Sequence, residues 1–159
     1  MPSIERVQLV RRPLPEVFGF FADAHNLEAI TPPYLKFRIL TPAPIAMTAG
    51  ALIDYRLQLF GVPFTWKTRI ETFEPTRRFV DRQVRGPYAM WHHLHEFYET
   101  GEGTLVVDQV DYRIGWSILG GVVQIAFVQQ TLEAIFDYRR QMVAELLEGL
   151  RPAAAAFAG

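Results

Sequence analysis

The stretch from Gly86 to Phe97 concentrates the side chains able to do chemistry: three of the chain's four histidines, His92, His93 and His95, stand here among Tyr88, Trp91 and Phe97. Read as a β-strand, alternate residues share a face. Trp91, His93, His95 and Phe97 then look one way, and Met90, His92, Leu94 and Glu96 the other. A face with a large ring at each end belongs in a core, and a buried imidazole needs a hydrogen-bond partner or a ligand. The flanking segments offer partners: Phe79, Asp81 and Gln83 share one phase after Arg78, and Asp108, Val110 and Tyr112 share one after Thr104. The opposite phase would favour Val80 and Val84, or Leu105 and Val107, so apolar counts alone do not choose. A carboxylate beside an imidazole fixes its tautomer and raises its basicity. In an apolar pocket such a pair can take a proton from an activated carbon or give one to a departing hydroxyl. The same residues can instead tie strands together or recognise a ligand, and their types leave all three readings open.

The His93-x-His95 spacing also suits a metal, with Asp108 or Asp81 as a third ligand. Against that, no third histidine is near, because His25 falls in a helical segment far along the chain. Neither a metal nor a cofactor is expected. His92, in the opposite phase, is expected to be solvated.

These residues need a sheet and something to cover it. Ile4 to Arg11 reads as a first strand, ended by Arg12-Pro13. Pro13 and Pro15 suit a helix entry, with Val17, Phe20, Phe21 and Ala24 as its buried stripe. Asn26 is a candidate N-cap for a second short helix to Ile30, stopped by Thr31-Pro32-Pro33. From Tyr34 to Tyr112 the period becomes two. Leu35, Phe37 and Ile39, then Ile53 to Leu59, then Phe64 to Ile70 alternate with polar residues, and with the three segments above they predict six consecutive strands. A long amphipathic helix follows from about Gly121 to Leu150, with Ile125, Val128, Leu132, Ile135, Phe136, Met142, Val143, Leu146 and Leu150 as its apolar stripe. Arg139 lies in phase with that stripe, and is read as a stem snorkelling at its margin. One sheet with a dry face needs a cover, and this helix is the element long enough to supply it.

Composition narrows the function classes. The 159 residues make one ordinary domain, taken as 1–151 with an Ala-rich tail at 152–159. A formal charge of −1, from 16 basic and 17 acidic residues without a long single-sign run, gives no footprint for nucleic acid. Zero cysteines exclude a disulfide framework and a thiolate site, and fit a reducing, cytoplasmic setting. The charged N-terminus does not read as a signal peptide, and Ile114 to Val128 is too short for a membrane span, so stable membrane insertion is not expected.

Several motifs together carry a resemblance: Pro15-Glu16-Val17-Phe18 through Asn26-Leu27 and Thr31-Pro32, Phe79 to Gln83 with Gly86-Pro87-Tyr88, and Trp91 to Phe97. They continue in Gly103-Thr104 with Asp108 to Tyr112, and in Phe136-Asp137-Tyr138-Arg139. In this order the chain resembles the helix-grip fold of the START / Bet v 1-like (SRPBCC) superfamily, and more narrowly its polyketide cyclase/dehydrase branch. The resemblance implies an α+β fold: a curved seven-stranded antiparallel sheet gripping the C-terminal helix, with two short helices after the first strand. It also implies a cavity for a hydrophobic or aromatic small molecule, lipid- or polyketide-like.

In that frame His93, His95, Asp81, Gln83 and Asp108 supply polar contacts, and Trp66, Trp91, Tyr55, Tyr112 and Phe136 form walls. The first expectation is a binding protein, monomeric or homodimeric. An alternative is a cyclase/dehydratase-type enzyme with His95 as base, Asp108 as its orienter and Tyr112 as donor to the carbonyl oxygen. A third is a protein-interaction module that exposes Trp116 to Leu119, a segment that otherwise reads as a lid or a tucked loop.

Overall fold

Two prolines set the first change of direction. Pro13, with φ −59° and ψ 145°, ends the strand β1 (Ser3–Val10) and enters the helix α1 (Leu14–Ala22), in whose first turn Pro15 needs no hydrogen-bond donor. The computed structural model describes residues 1–59, 61–115 and 125–149. After α1 come α2 (Asn26–Ala29), a 3-10 turn at Pro33–Leu35, and the strands β2 (Arg38–Ile39), β3 (Leu52–Leu59), β4 (Val62–Glu74), β5 (Arg78–Arg85), β6 (Tyr88–Thr100) and β7 (Gly103–Ile114). The helix α3 (Ile125–Glu148) closes the order. The strands form one antiparallel sheet in the order β1-β7-β6-β5-β4-β3-β2, so only β1 leaves sequence order, and it pairs along β7 from Ser3↔Asp111 to Val10↔Thr104. This is the helix-grip fold that the resemblance implied.

Three local expectations change. The strand expected through Leu35, Phe37 and Ile39 is only Arg38–Ile39, because Pro32-Pro33 starts the 3-10 turn and Lys36 takes a left-handed conformation at φ 48°. Asn26 does not cap α2. His25 holds that position, and the Asn26 amide donates to the Phe20 carbonyl at 2.9 Å, satisfying a carbonyl of α1's last turn. On α3 the buried series is Val128, Leu132, Phe136, Val143 and Leu147, whereas Leu146, expected inside, is 49 % exposed. Leu147, about 40° round the helix from Val143, continues the stripe, whereas Leu146, about 60° from Val143 on the other side, falls at its margin. The expected tail from Pro152, the Trp116 to Leu119 segment and Leu150 lie outside the described residues.

The core holds three apolar clusters, two that meet β6 and one around Ile53, Tyr55 and Ile70. At one end Phe18 of α1 packs against Phe73, Phe79 and Phe97 at ring separations of 5.6, 6.1 and 5.1 Å, with Val10, Val106, Val143 and Leu147 around them. At the other end Tyr88, Trp91, Val110 and Tyr112 meet Val128, Leu132 and Phe136. Polar ties hold α3 to β1: Arg6 reaches Asp137 at 3.3 Å and the Gln8 amide donates to the Arg140 carbonyl at 2.9 Å. Gly149, with φ 68°, ends the helix by donating its N–H to the Glu145 carbonyl. Among the described residues no helix is long and apolar enough to cross a membrane.

Phe18 is the keystone of the first cluster. Phe18→Ala should lower the unfolding free energy by about 3–5 kcal/mol, read from urea denaturation, and a loss below about 1 kcal/mol would show that α1 is not anchored through this ring.

Candidate active site

β6 runs between two of the apolar clusters, and its inward residues change character on the way: Trp91, then His93 and His95, then Phe97. Both histidines are 3 % exposed. Their partners come from the strands on either side. The register sets Asp81 of β5 opposite His93 and Asp108 of β7 opposite His95, yet the hydrogen bonds are diagonal: His95 Nε2 lies 2.8 Å from Asp81 Oδ2 and His93 Nε2 lies 2.9 Å from Asp108 Oδ1. The direct pairs complete a ring, with His93 Nδ1 at 3.6 Å from Asp81 Oδ2 and His95 Nδ1 at 2.9 Å from Asp108 Oδ1. That last approach is poorly aligned with the ring N–H direction, leaving His95 Nδ1 without a properly formed hydrogen bond; it acts as a charge contact. The two imidazoles stack at 3.7 Å, and Phe79 stacks on the far side of His95 at 4.1 Å.

Burial and neighbours drive the two imidazoles apart. Burial disfavours charge on His93, the charge of His95 adds to that, and together they outweigh both carboxylates, so His93 titrates at about 4. Burial disfavours charge on His95 too, but its contacts with Asp108 and Asp81 outweigh the penalty and raise its value above 6.5. Asp108 is held below the ordinary carboxylate range because the His93 and His95 contacts overcome its burial, and Asp81 is lowered against burial by His93, His95 and Arg139. Between about pH 4 and pH 6.5 the set is therefore two carboxylates, one imidazolium and one neutral imidazole. The neutral His93 donates from Nε2 to Asp108, which leaves a lone pair on Nδ1, 3.6 Å from Asp81 Oδ2 and beyond hydrogen-bond distance.

A partly open cavity of about 140 Å³ adjoins this ring, under α3 and against α1 and α2. Asp81, His93, His95, Tyr55, Trp66, Trp91, Phe136 and Arg139 all line it. Burial holds the Tyr55 phenol protonated, with the Asp81 charge adding to the effect. Trp66 meets Trp91 edge-on at 5.2 Å and Tyr88 at 5.7 Å.

Three of the sequence candidates stand off the wall. Asp108 sits behind the imidazoles. Tyr112 is fully buried in the core, its hydroxyl without a partner among the described residues. Gln83 spans the β5–β6 turn, donating to the Tyr88 carbonyl at 2.7 Å and accepting from the Tyr88 N–H at 3.2 Å.

Two wall residues escaped the sequence reading. A register shift between Tyr88 and Met90 turns Tyr88 inward against the strand's alternation. Arg139, read as a snorkelling stem, points into the cavity instead; its phase with the apolar stripe was the available signal. His92, expected in solvent, is half-buried on the other face.

Asp81, His93 and His95 offer donor atoms within 4.8 Å of one another, a spacing compatible with a cation. The rings, however, lie only 29° from parallel. One nitrogen of each ring approaches the same Asp81 oxygen, at 3.6 and 2.8 Å, so the carboxylate already stands between them and a cation would have to displace it.

The family described as polyketide cyclase / dehydrase and lipid transport matches residues 10–136, which takes in every residue of the ring and most of α3's buried face. The chain belongs to this family. Its fold recurs in solved structures of low sequence identity. The protein CV1439 from Chromobacterium violaceum is 13 % identical, with a TM-score of 0.72 over 93 % of this chain and 99 % of that one. A START superfamily protein from Mycobacterium smegmatis is 12 % identical, with a TM-score of 0.68 over 94 % and 99 %. The di-domain ARO/CYC protein StfQ of the steffimycin biosynthetic pathway is 15 % identical, with a TM-score of 0.73 over 92 % of this chain and 50 % of its own. No curated protein sequence matches the chain.

The ring's protonation sets its response to pH. The lowered Asp108 value adds stability above pH 3.8 that is lost as pH falls toward its folded value. The raised His95 value adds stability below pH 6.5 that is lost as pH rises through its folded value. His93 acts the other way, opposing the folded state as pH drops from 6.5 toward about 4. Asp108→Asn should cost about 3–5 kcal/mol at pH 6 and lower the His95 titration, followed by urea unfolding and by NMR of the histidine rings. An unmoved His95 titration would mean that the carboxylate does not hold its proton.

Proposed function

We propose that the protein is an acid–base enzyme of the cyclase/dehydratase kind, acting on a small enolisable carbonyl compound with an aromatic or otherwise apolar body. The observation that carries the reading is the pair of unlike imidazoles at the wall of an apolar cavity, one neutral and one charged at the same pH. Two titratable groups pushed apart by their surroundings mark a site prepared for proton transfer. Family membership adds to it.

The sequence reading gave His95 the role of base, but its charge is favoured. His93 suits the task better: it is neutral, its Nδ1 makes no hydrogen bond and lies 3.6 Å from the Asp81 oxygen, and Asp108 on Nε2 plays the orienting part. His93 would remove a proton from the carbon between a carbonyl and its activating neighbour. The resulting enolate carbon attacks a second carbonyl carbon of the same molecule, forming a carbon–carbon bond, and the new alkoxide takes a proton to become a hydroxyl. Removal of a second proton from the same carbon expels that hydroxyl, which leaves with a proton as water. The imidazolium of His95 stabilises negative charge as it develops, and Tyr55, protonated and facing the cavity, takes the donor role earlier given to Tyr112.

Size limits the substrate. A space of about 140 Å³ compares with the roughly 150 Å³ that holds one benzene ring, so a single-ring compound fills it. A second reading, binding without turnover, is favoured by the way each carboxylate already engages two imidazole nitrogens. The absence of cysteine in the chain supports a cytoplasmic setting.

Acetophenone in heavy water separates the two readings. An enzyme should speed exchange of its methyl protons, followed by proton NMR, with an acid limb near pH 4 above which His93 is free to accept, and an alkaline limb where His95 loses its charge. His93→Gln should slow exchange by about a hundredfold while the compound still binds. Exchange at the uncatalysed rate in the unaltered protein, or undiminished exchange in His93→Gln, removes the catalytic reading.

A further inference from the structure

We infer that the ligand of this cavity carries a carboxylate, held by the guanidinium of Arg139. The inference rests on the cavity being a small-molecule site, as proposed above, and adds the chemical class of what enters.

Arg139 is seven residues after Leu132, three after Phe136 and four before Val143, all buried residues of α3. The helix therefore aims it at the sheet rather than at solvent. Its guanidinium carbon lies 5.0 Å from the centre of the Phe136 ring, which holds the planar group against the wall. Its Nε is buried and has no hydrogen-bond partner among the described residues. No described carboxylate stands within ion-pair distance of it, while both buried carboxylates are already engaged by imidazoles. Asp81 feels its charge only at longer range.

A guanidinium keeps its charge when half-buried, as Arg139 is, and an N–H drawn away from water without a partner is costly. A second, smaller recess of about 10 Å³, shared with Asp108, is at the lower limit for one water molecule. The main cavity, which Arg139 lines, is where a partner for it can enter. The planar fork of an arginine fits a carboxylate with two parallel hydrogen bonds, and the adjoining apolar walls at Leu132, Trp66 and Trp91 suit the ring that would carry it. Asp81 also faces the cavity and repels an anion. Its charge is already met by the His95 N–H at 2.8 Å, whereas that of Arg139 is not met. The substrate class that results is an aryl acid, bearing an enolisable ketone where the reaction above applies.

Benzoate and benzamide, of matched shape and size, test the charge alone. Both are titrated at pH 7 and fixed ionic strength, with quenching of Trp66 and Trp91 fluorescence or calorimetry as readout. The intact protein should bind benzoate about tenfold or more tighter than benzamide. Arg139→Gln should reduce benzoate to the benzamide level and leave benzamide unchanged, and Arg139→Lys should keep part of the preference. Equal binding of the two probes by the intact protein, no binding of either, or a preference that survives in Arg139→Gln overturns the inference. Should Arg139→Gln fail to fold by circular dichroism, the comparison in the intact protein and in Arg139→Lys decides. Because the readout is binding, loss of the preference with acetophenone exchange intact refutes only the carboxylate. Preference without exchange refutes only the catalysis.

Discussion

Everything in this molecule has to accommodate a closed ring of two carboxylates and two imidazoles on the concave face of its central strands. Four polar groups at the seam between two apolar clusters would be ruinous singly, since each would forgo its water for nothing. Together they satisfy one another. Every link in the ring, 2.8, 2.9, 2.9 and 3.6 Å long, joins an imidazole nitrogen to a carboxylate oxygen. The arrangement requires β5, β6 and β7 to keep their register to the residue, because a slip of one would turn each histidine to the convex face. The long antiparallel β6–β7 pairing, from Tyr88↔Ile114 to Thr100↔Gly103, supplies that constraint.

The ring is symmetric in composition and asymmetric in state. Phe79 and His93 sandwich His95, and its nitrogens face both carboxylates, so its charge is favoured. His93 has one close carboxylate and one distant one and lies beside the charged ring, so neutrality is favoured there. Removing any one member changes the state of the other three, and the four behave as one titrating unit rather than as two ion pairs. The helix above contributes differently. Leu132 and Phe136 close the apolar side, while Arg139 brings a second positive charge into a space that has few other polar groups at its wall.

Much of the fold was legible because it follows from short-range periodicity. Alternation in Ile53 to Leu59 and Trp91 to Phe97, prolines at the entry of α1 and the three- and four-residue spacing in α3 all report which face of each element is dry, and they do so without knowledge of neighbours. The failures were equally local. Lys36 in a left-handed turn and the displaced cap at Asn26 depend on backbone conformations that composition signals weakly. Tyr88 turned inward because a bulge, invisible in the residue pattern, broke the alternation just before Trp91. Gln83 was in phase for the cavity, but a tight Gly86-Pro87 turn placed the Tyr88 backbone within its reach, and the amide was used there.

Reading residues alone was enough to put His93 and His95 on one buried face, since side-chain alternation along a strand is a property of the strand itself, whereas the phase that brings Asp81 and Asp108 to meet them came from the family resemblance. Only the tertiary structure decided which nitrogen meets which oxygen, and hence which imidazole is charged, because those contacts run diagonally between strands and their electrostatics depend on enclosure by α3. It also decided the inward course of Arg139: a cation on an apolar stripe can snorkel or enter a cavity, and the choice rests on whether the opposing sheet leaves room. Here the sheet curves away and leaves about 140 Å³ beside the ring.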